Sequence, residues 1–445
     1  MRQVQLLAIL MSRLRSRINE VKHNLKIYTT LLTLILMGTS ACKKAQVSVD
    51  DADEIVSPTT GTRSQFTLDS IFLYAKQVYL WNDVLPGYAE FNPRQKYGGI
   101  SSDITAFKKE LFDISQLKIN TITGSPYELP VYFENPKYSN LQLGRSTPGS
   151  TAAVVNPNTA VLASKIISSG NTPVAYIALG SFPSLSSSKA VLDQAFDDLA
   201  TANPKVIVID LRSNGGGYLE TAEYVANLIV PASLNGKVMY SEVFNPAMQN
   251  GTAKILKHQP YLDANGKTAV YNGRNATMAD VDYTIAGNTY KFNKKGSLQT
   301  IQSVYFIVSG NTASASEMLI SSLKPFFDIK LIGEKTYGKP VGFFGINIDQ
   351  YSIYLSSFLI KNASGWSDYF TGMQPDVPVK GADNPVLGDP AESCLSAALE
   401  LINGTKKLAV SKLASTDKIT TNRTDFLQPT LVEGIMFENR LRLRK

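Results

Sequence analysis

The chain has only two histidines in 445 residues, His23 and His258. His23 lies in a basic N-terminal stretch and His258 in a polar segment, so a histidine base or a histidine-rich metal site has almost no material to draw on. Cysteine is as scarce. Cys42 and Cys394 are the only two, with no Cys-x-x-Cys pair and no His-Glu-x-x-His, so we expect no disulfide framework, no metal and no cofactor. The longest N-terminal apolar stretch, Leu31-Leu32-Thr33-Leu34-Ile35-Leu36-Met37, falls well short of the roughly 20 residues that span a bilayer. There is no repeat at a fixed period. The formal charge of +7 drops to +2 once residues 1–41 are set aside, which gives no reason to expect a nucleic-acid partner.

What the chain does have is a set of strand–turn units. Val206-Ile207-Val208-Ile209-Asp210 has no polar face and reads as a buried strand. It runs into Leu211-Arg212-Ser213-Asn214-Gly215-Gly216-Gly217, a glycine turn able to present backbone N–H groups. Val304-Tyr305-Phe306-Ile307-Val308 reads as a second buried strand and leads to Thr312-Ala313-Ser314-Ala315-Ser316-Glu317. Asn311, Thr312 and Ser314 are candidate helix caps, Glu317 suits a first turn, and Pro325 should end the helix. A helix over about 314–324 runs roughly 16 Å. A strand over Ile329–Gly333 returns about the same distance at roughly 3.3 Å per residue. Helix out and strand back place Lys339 near Ser314.

That pairing suggests a chemistry. A serine hydroxyl is a weak nucleophile until a base takes its proton. With histidine scarce, a neutral lysine is the remaining candidate, and burial would have to lower its pKa by about three units, at a cost of about 4 kcal/mol. The apolar flank Val341-Gly342-Phe343-Phe344-Gly345 offers a dry pocket for it. A helix starting at Ser314 adds free N–H groups and partial positive charge for an oxyanion. The plain readings are that Ser314 is only a cap, Lys339 only a solvated loop residue, Asp210-Leu211-Arg212 structural, and His258 and Trp81 surface and core residues respectively.

Asp210-Leu211-Arg212-x-Asn214-x-Gly216-Gly217, Thr312 to Glu317, and Gly333-Glu334-Lys335-Thr336-Tyr337-Gly338-Lys339 together resemble the signatures of the C-terminal-processing (tail-specific) serine proteases. The resemblance covers about 165–235 and 300–400. It implies an α/β, crotonase/ClpP-like core and a Ser–Lys endopeptidase, with Ser314 as nucleophile and Lys339 as general base. Ala315 N–H and a glycine N–H from Gly216 or Gly217 would form the oxyanion hole. Three departures stand out. Pro340 and Phe343 occupy the positions where the family usually has glycine and a lysine-orienting glutamine, and there is no room for the family's PDZ domain before the core. A catalytically impaired peptide-binding lipoprotein on the same scaffold is the alternative; enoyl-CoA hydratase-like chemistry would rest on fold analogy alone.

The N-terminus suggests where the chain works. Lys22 and Lys26 precede the apolar stretch, and Thr39-Ser40-Ala41 precede Cys42. This layout resembles a signal peptide (1–41, with Met11 as an alternative start) and a lipoprotein cleavage box with Cys42 as the lipidated residue. The expected address is the envelope of a Gram-negative-type bacterium, anchored through lipid on Cys42, with peptides or unfolded proteins as substrates. We expect a flexible tether at 42–64, a small helical N-terminal domain at 65–145 and a connector at 146–164. The protease core should follow at 165–405, with a polar insertion at 235–300 as a possible flap and hairpins such as Asp263–Lys267, and a tail at 406–445.

Overall fold

In the computed structural model, residues 57–130, 134–146, 159–170, 172–263, 266–381, 384–405 and 441–444 are described. The expected signal peptide and Cys42 lie outside them, as do most of the tether, connector and tail. Along the chain the strands are β1 (Asn140–Leu143), β2 (Ala163–Ser169), β3 (Thr172–Ala178), β4 (Val206–Asp210), β5 (Val238–Phe244), β6 (Val270–Tyr271), β7 (Arg274–Asn275), β8 (Thr289–Lys291), β9 (Ser303–Val308), β10 (Asp328–Gly333), β11 (Val341–Gly342), β12 (Ile346–Ile348), β13 (Tyr351–Tyr354), β14 (Phe358–Asn362) and β15 (Val377–Pro378).

The central sheet has six strands in the order β15-β10-β9-β4-β3-β2. Every neighbouring pair is parallel except β2 with β3. Its inner strands β3, β4 and β9 are mostly apolar and buried because both faces are covered, while β2 and the start of β10 carry exposed polar residues. Ala175, Ile177, Ile207 and Ile209 face the main core, with Leu192 and Phe196 of the helix Leu185–Ala200. Their neighbours Val174, Tyr176, Val208 and Ile307 face the other way, against Leu395 and Ala398 of the helix Ser393–Ile402. The fold is therefore α/β, as expected, with helices flanking a mostly parallel sheet.

The N-terminal helices are present. Arg63–Val78 opens with a reciprocal Thr62–Gln65 capping box, and Asp103–Ser115 lies beside it. Their apolar faces, including Leu68, Ile71, Phe72 and Phe107, share one hydrophobic cluster with the α/β part. Phe107 meets Tyr351 edge-on at 5.1 Å, and Asn245 Nδ2 donates to the Gln77 and Tyr79 carbonyls. After the helices the chain adds β1 to β13, antiparallel.

The segment 235–300 joins the architecture through its two ends. β5 is an inner strand and β8 an edge strand of a second sheet, β11-β14-β5-β8. Between them, Leu262 pairs with Thr268 around the expected 263–267 turn, whose tip residues 264 and 265 lie outside the description. After Lys339, β11 starts beyond a single intervening residue, Pro340, so this second sheet helps hold the lysine loop. Arg212 links the layers: its guanidinium pairs with Asp210 at 2.8 Å and with Glu392, the cap of the last helix, at 2.7 Å.

Candidate active site

β4 and β9 are adjacent and parallel, so the loops leaving their carboxyl ends must meet, the usual place for a site in an open α/β sheet. The first loop carries Asn214–Gly217 and the second Ser309–Ser314. They are sewn together by Thr312 Oγ1 donating to the Leu211 carbonyl (2.8 Å), Ser309 Oγ to the Arg212 carbonyl (2.6 Å) and Ser316 Oγ to the Asn214 carbonyl (3.0 Å).

Ser314 is fully buried, at the N-cap of the wholly buried helix Ala315–Leu323. Its backbone is left-handed, φ 61°, which a non-glycine residue adopts only when its surroundings impose it. Its Oγ makes no hydrogen bond. Gly216 (φ 109°) lies against this turn so closely that a Cβ there would sit 2.8 Å from Ser314 Cβ and 3.1 Å from Ala315 N. Only glycine allows that approach. A Cβ on Gly217 would sit 2.2 Å from the Phe182 carbonyl oxygen, so its absence lets the turn pair with the chain after β3. The Gly216 N–H itself donates to Asn214 Oδ1 at 2.9 Å.

The feature that ties serine to lysine is Glu317, buried at the first turn of the helix. Its carboxylate accepts the Ser314 N–H (3.0 Å) and Lys339 N–H (2.8 Å) on Oε2, and the Thr336 hydroxyl (2.6 Å) and Gly338 N–H (2.7 Å) on Oε1. The amide nitrogens of Ser314 and Lys339 are thus separated by at most the sum of the two Oε2 distances. Burial pushes the Glu317 carboxyl above its ordinary value, against the lowering effect of these four donors. The serine–lysine approach expected from helix-out, strand-back geometry is thereby clamped by one side chain.

Lys339 is buried, and burial pulls its ammonium down to about 7, with nearby Lys137 pulling the same way against the carboxylates of Glu128 and Glu317. Its Nζ lies over the ring of Phe343, 4.7 Å from the centroid, so the residue in the glutamine position forms part of the lysine's wall. The rest of the wall comes from a segment with no sequence signal for it. Tyr138 OH donates to the Gly338 carbonyl at 2.7 Å. Lys137 Nζ donates to the Phe370 carbonyl at 2.7 Å, and burial lowers this lysine to about 8. Glu128 is buried, accepting from Tyr79 OH, Ser139 N–H and Oγ, Tyr138 N–H and Ser356 Oγ. Only folding brings residues some 200 positions apart to one pocket. His258, by contrast, is exposed, in the turn Lys254–His258. Among the described residues, no group of three His, Cys, Asp or Glu side chains is placed to hold a metal.

The sequence model of peptidase family S41 matches residues 173–379, a span that contains both loops, Ser314 and Lys339. Residues 173–379 are a family S41 peptidase domain. The S41 peptidases are serine proteases, and their substrates are peptides or proteins. Solved structures that superpose on the chain include an assigned S41 protease from Bacteroides fragilis, at 18% identity over 76% of this chain and 98% of that one, with a TM-score of 0.48. The photosystem II D1 C-terminal processing protease superposes at 14% identity, 72% and 94% coverage and a TM-score of 0.43. An assigned peptidase from Parabacteroides merdae does so at 13% identity, 79% and 100% coverage and a TM-score of 0.43. No curated protein matches the chain.

In this S41 domain Glu317 should matter to stability and activity together. Glu317→Ala leaves three buried N–H groups and a hydroxyl without an acceptor, so we expect a loss of at least about 3 kcal/mol in denaturant unfolding and no measurable peptidase activity. An alanine variant with near wild-type unfolding would show that the clamp is dispensable.

Proposed function

We propose that the chain is a serine endopeptidase in which Ser314 is the nucleophile and Lys339 the general base. One observation carries the reading: a buried, low-pKa lysine and a serine in a strained left-handed turn share the Glu317 carboxylate through their own backbone amides. In the reaction, neutral Lys339 accepts the Ser314 hydroxyl proton as Oγ bonds to the scissile carbonyl carbon and the carbonyl π pair moves onto oxygen. The resulting negative charge faces the helix N-terminus, where the Ala315 N–H lies. Collapse breaks the C–N bond, and the Lys339 ammonium returns the proton to the leaving amine. Water, deprotonated by the same lysine, then hydrolyses the acyl-serine and frees the enzyme.

Phe343 in the glutamine position and the Gly216 N–H already bonded to Asn214 favour the second reading, a peptide-binding protein with impaired catalysis. A fluorophosphonate probe separates the two, because only an activated serine is phosphonylated. We expect stoichiometric labelling at Ser314, and an unlabelled wild-type chain would support the binding protein.

The proposed workplace is the bacterial envelope, with the protease held by lipid on Cys42 and acting on envelope proteins or peptides. The layout of residues 22–42 supports this, and no helix among the described residues is long and apolar enough to cross a membrane. Acyl chains contribute about 0.8 kcal/mol per buried CH₂, enough for firm attachment when two or more are present. Mass spectrometry of the N-terminal peptide should find a diacylglyceryl cysteine, and an unmodified Cys42 would remove the anchor from the proposal.

A further inference from the structure

We propose that the side-chain amide of Asn214 is a catalytic oxyanion donor, working beside the Ala315 N–H. The inference rests on the Ser314–Lys339 reading and assigns the second half of its oxyanion site.

Asn214 is fully buried and held at four points, the first being its own N–H, which donates to the Leu211 carbonyl at 2.9 Å. Its carbonyl accepts the Ala313 N–H (3.3 Å) and the Ser316 hydroxyl (3.0 Å), the residues on either side of the Ser314–Ala315 pair. Its Oδ1 accepts the Gly216 N–H at 2.9 Å. Because a backbone N–H can only donate, that bond identifies which end of the amide is oxygen and which is nitrogen. The nitrogen end, Nδ2, is buried and has no hydrogen-bond partner. An orphaned buried donor costs on the order of 1–3 kcal/mol, so native structures rarely keep one without a use. The other orphan in this neighbourhood is Ser314 Oγ, across a contact in which Gly216 packs against both Ser314 Cβ and Ala315 N.

The same bonds bear on the glycine turn. The Gly216 N–H is already used by Asn214, so in this arrangement it has no proton to offer a substrate. The turn instead orients Asn214: the glycine holds Oδ1, and the nitrogen is left for the oxygen that becomes negative. An amide donor satisfied only when the tetrahedral intermediate forms acts on the transition state rather than on substrate binding, so its removal should appear in kcat.

The test is steady-state kinetics of the full chain with Asn214→Ala and Asn214→Asp, together with binding of a peptide boronic acid, whose tetrahedral boronate imitates the charged intermediate. We expect Asn214→Ala to lower kcat by about 10²–10³-fold with KM within about threefold. Boronate affinity should fall by the same factor as kcat/KM, and the midpoint of the pH–rate profile should stay in place. Asn214→Ala, which leaves the buried Gly216 N–H without its acceptor, should melt at a lower temperature but still unfold cooperatively. Asn214→Asp retains an acceptor for Gly216 and the shape of the side chain, and should lose at least as much, because oxygen then faces oxygen. It also serves if the alanine variant does not fold. A kcat within threefold of wild type in either folded variant would overturn the assignment. So would a loss in which KM or the pH midpoint moves and boronate binding does not. If the wild type hydrolyses no peptide and takes no fluorophosphonate, the Ser314–Lys339 reading itself fails, and the role of Asn214 fails with it.

Discussion

Ser314→Ala is expected to bring peptide hydrolysis below about one part in a thousand of wild type while the fold survives. The size of the loss follows from covalent catalysis: without Oγ there is no acyl-enzyme, and the helix N-terminus can only polarise a carbonyl that nothing attacks. The fold should tolerate the change because Ser314 Oγ makes no hydrogen bond. The Glu317 clamp engages the backbone N–H of residue 314, which alanine keeps. The left-handed φ is no worse for alanine than for serine. Kinetics with a purified variant, alongside thermal unfolding, check both halves. Residual cleavage above that level, free of contaminating protease, would assign the nucleophile elsewhere.

Lys339 should give the second large effect, and its sign can be worked out. The base must be neutral to accept the serine proton, and burial holds this lysine at about 7, far below its ordinary value. Below that pH the lysine is protonated and kcat/KM should fall tenfold per pH unit. Above it the rate should level off rather than continue to climb toward the ordinary lysine range. Lys339→Arg should lose on the order of 10³-fold or more at every accessible pH, since guanidinium stays protonated and cannot accept the serine proton. His258→Ala should change nothing, because that side chain is exposed. A pH–rate profile for the wild type and rates for the two variants provide the check. An active arginine variant, or a profile that follows His258, would mean that another group takes the proton.

Both expectations start from residues whose importance was visible along the chain, because their signals are local. A run such as Val206–Asp210 is strand-like wherever it sits, and the glycines after it mark a turn before any partner is known. The helix expected over 314–324 is observed as Ala315–Leu323, and the strand expected from Ile329 starts one residue earlier at Asp328. The small differences lie at element ends, where capping rather than periodicity sets the boundary. Glu317 was legible only as a first-turn acid. Its spacing from Ser314 suits a cap, but nothing in Ser-x-x-Glu says that the same carboxylate will also take the amides of Gly338 and Lys339.

The amino-acid sequence by itself determined the two buried strands and the turns that follow them, the scarcity of histidine that points to lysine, and the αβ step that returns Lys339 toward Ser314. Those properties depend on residue type and on short, regular spacings. Only the tertiary structure decided what surrounds the pair. Glu128, Lys137 and Tyr138 reach the lysine loop because the N-terminal helices share their core with the α/β part. Phe343 becomes a wall beside the Lys339 amine because it packs in one cluster with Tyr138, Val341 and Tyr354. Asn214 keeps an unused donor because Gly216 fixes its oxygen end and the fold brings no acceptor to its nitrogen. The physical reason is the same in each case. A pKa and an orphaned hydrogen bond are set by dielectric and by neighbours within a few ångströms, and those neighbours come from chain segments whose separation in sequence carries no trace of their contact.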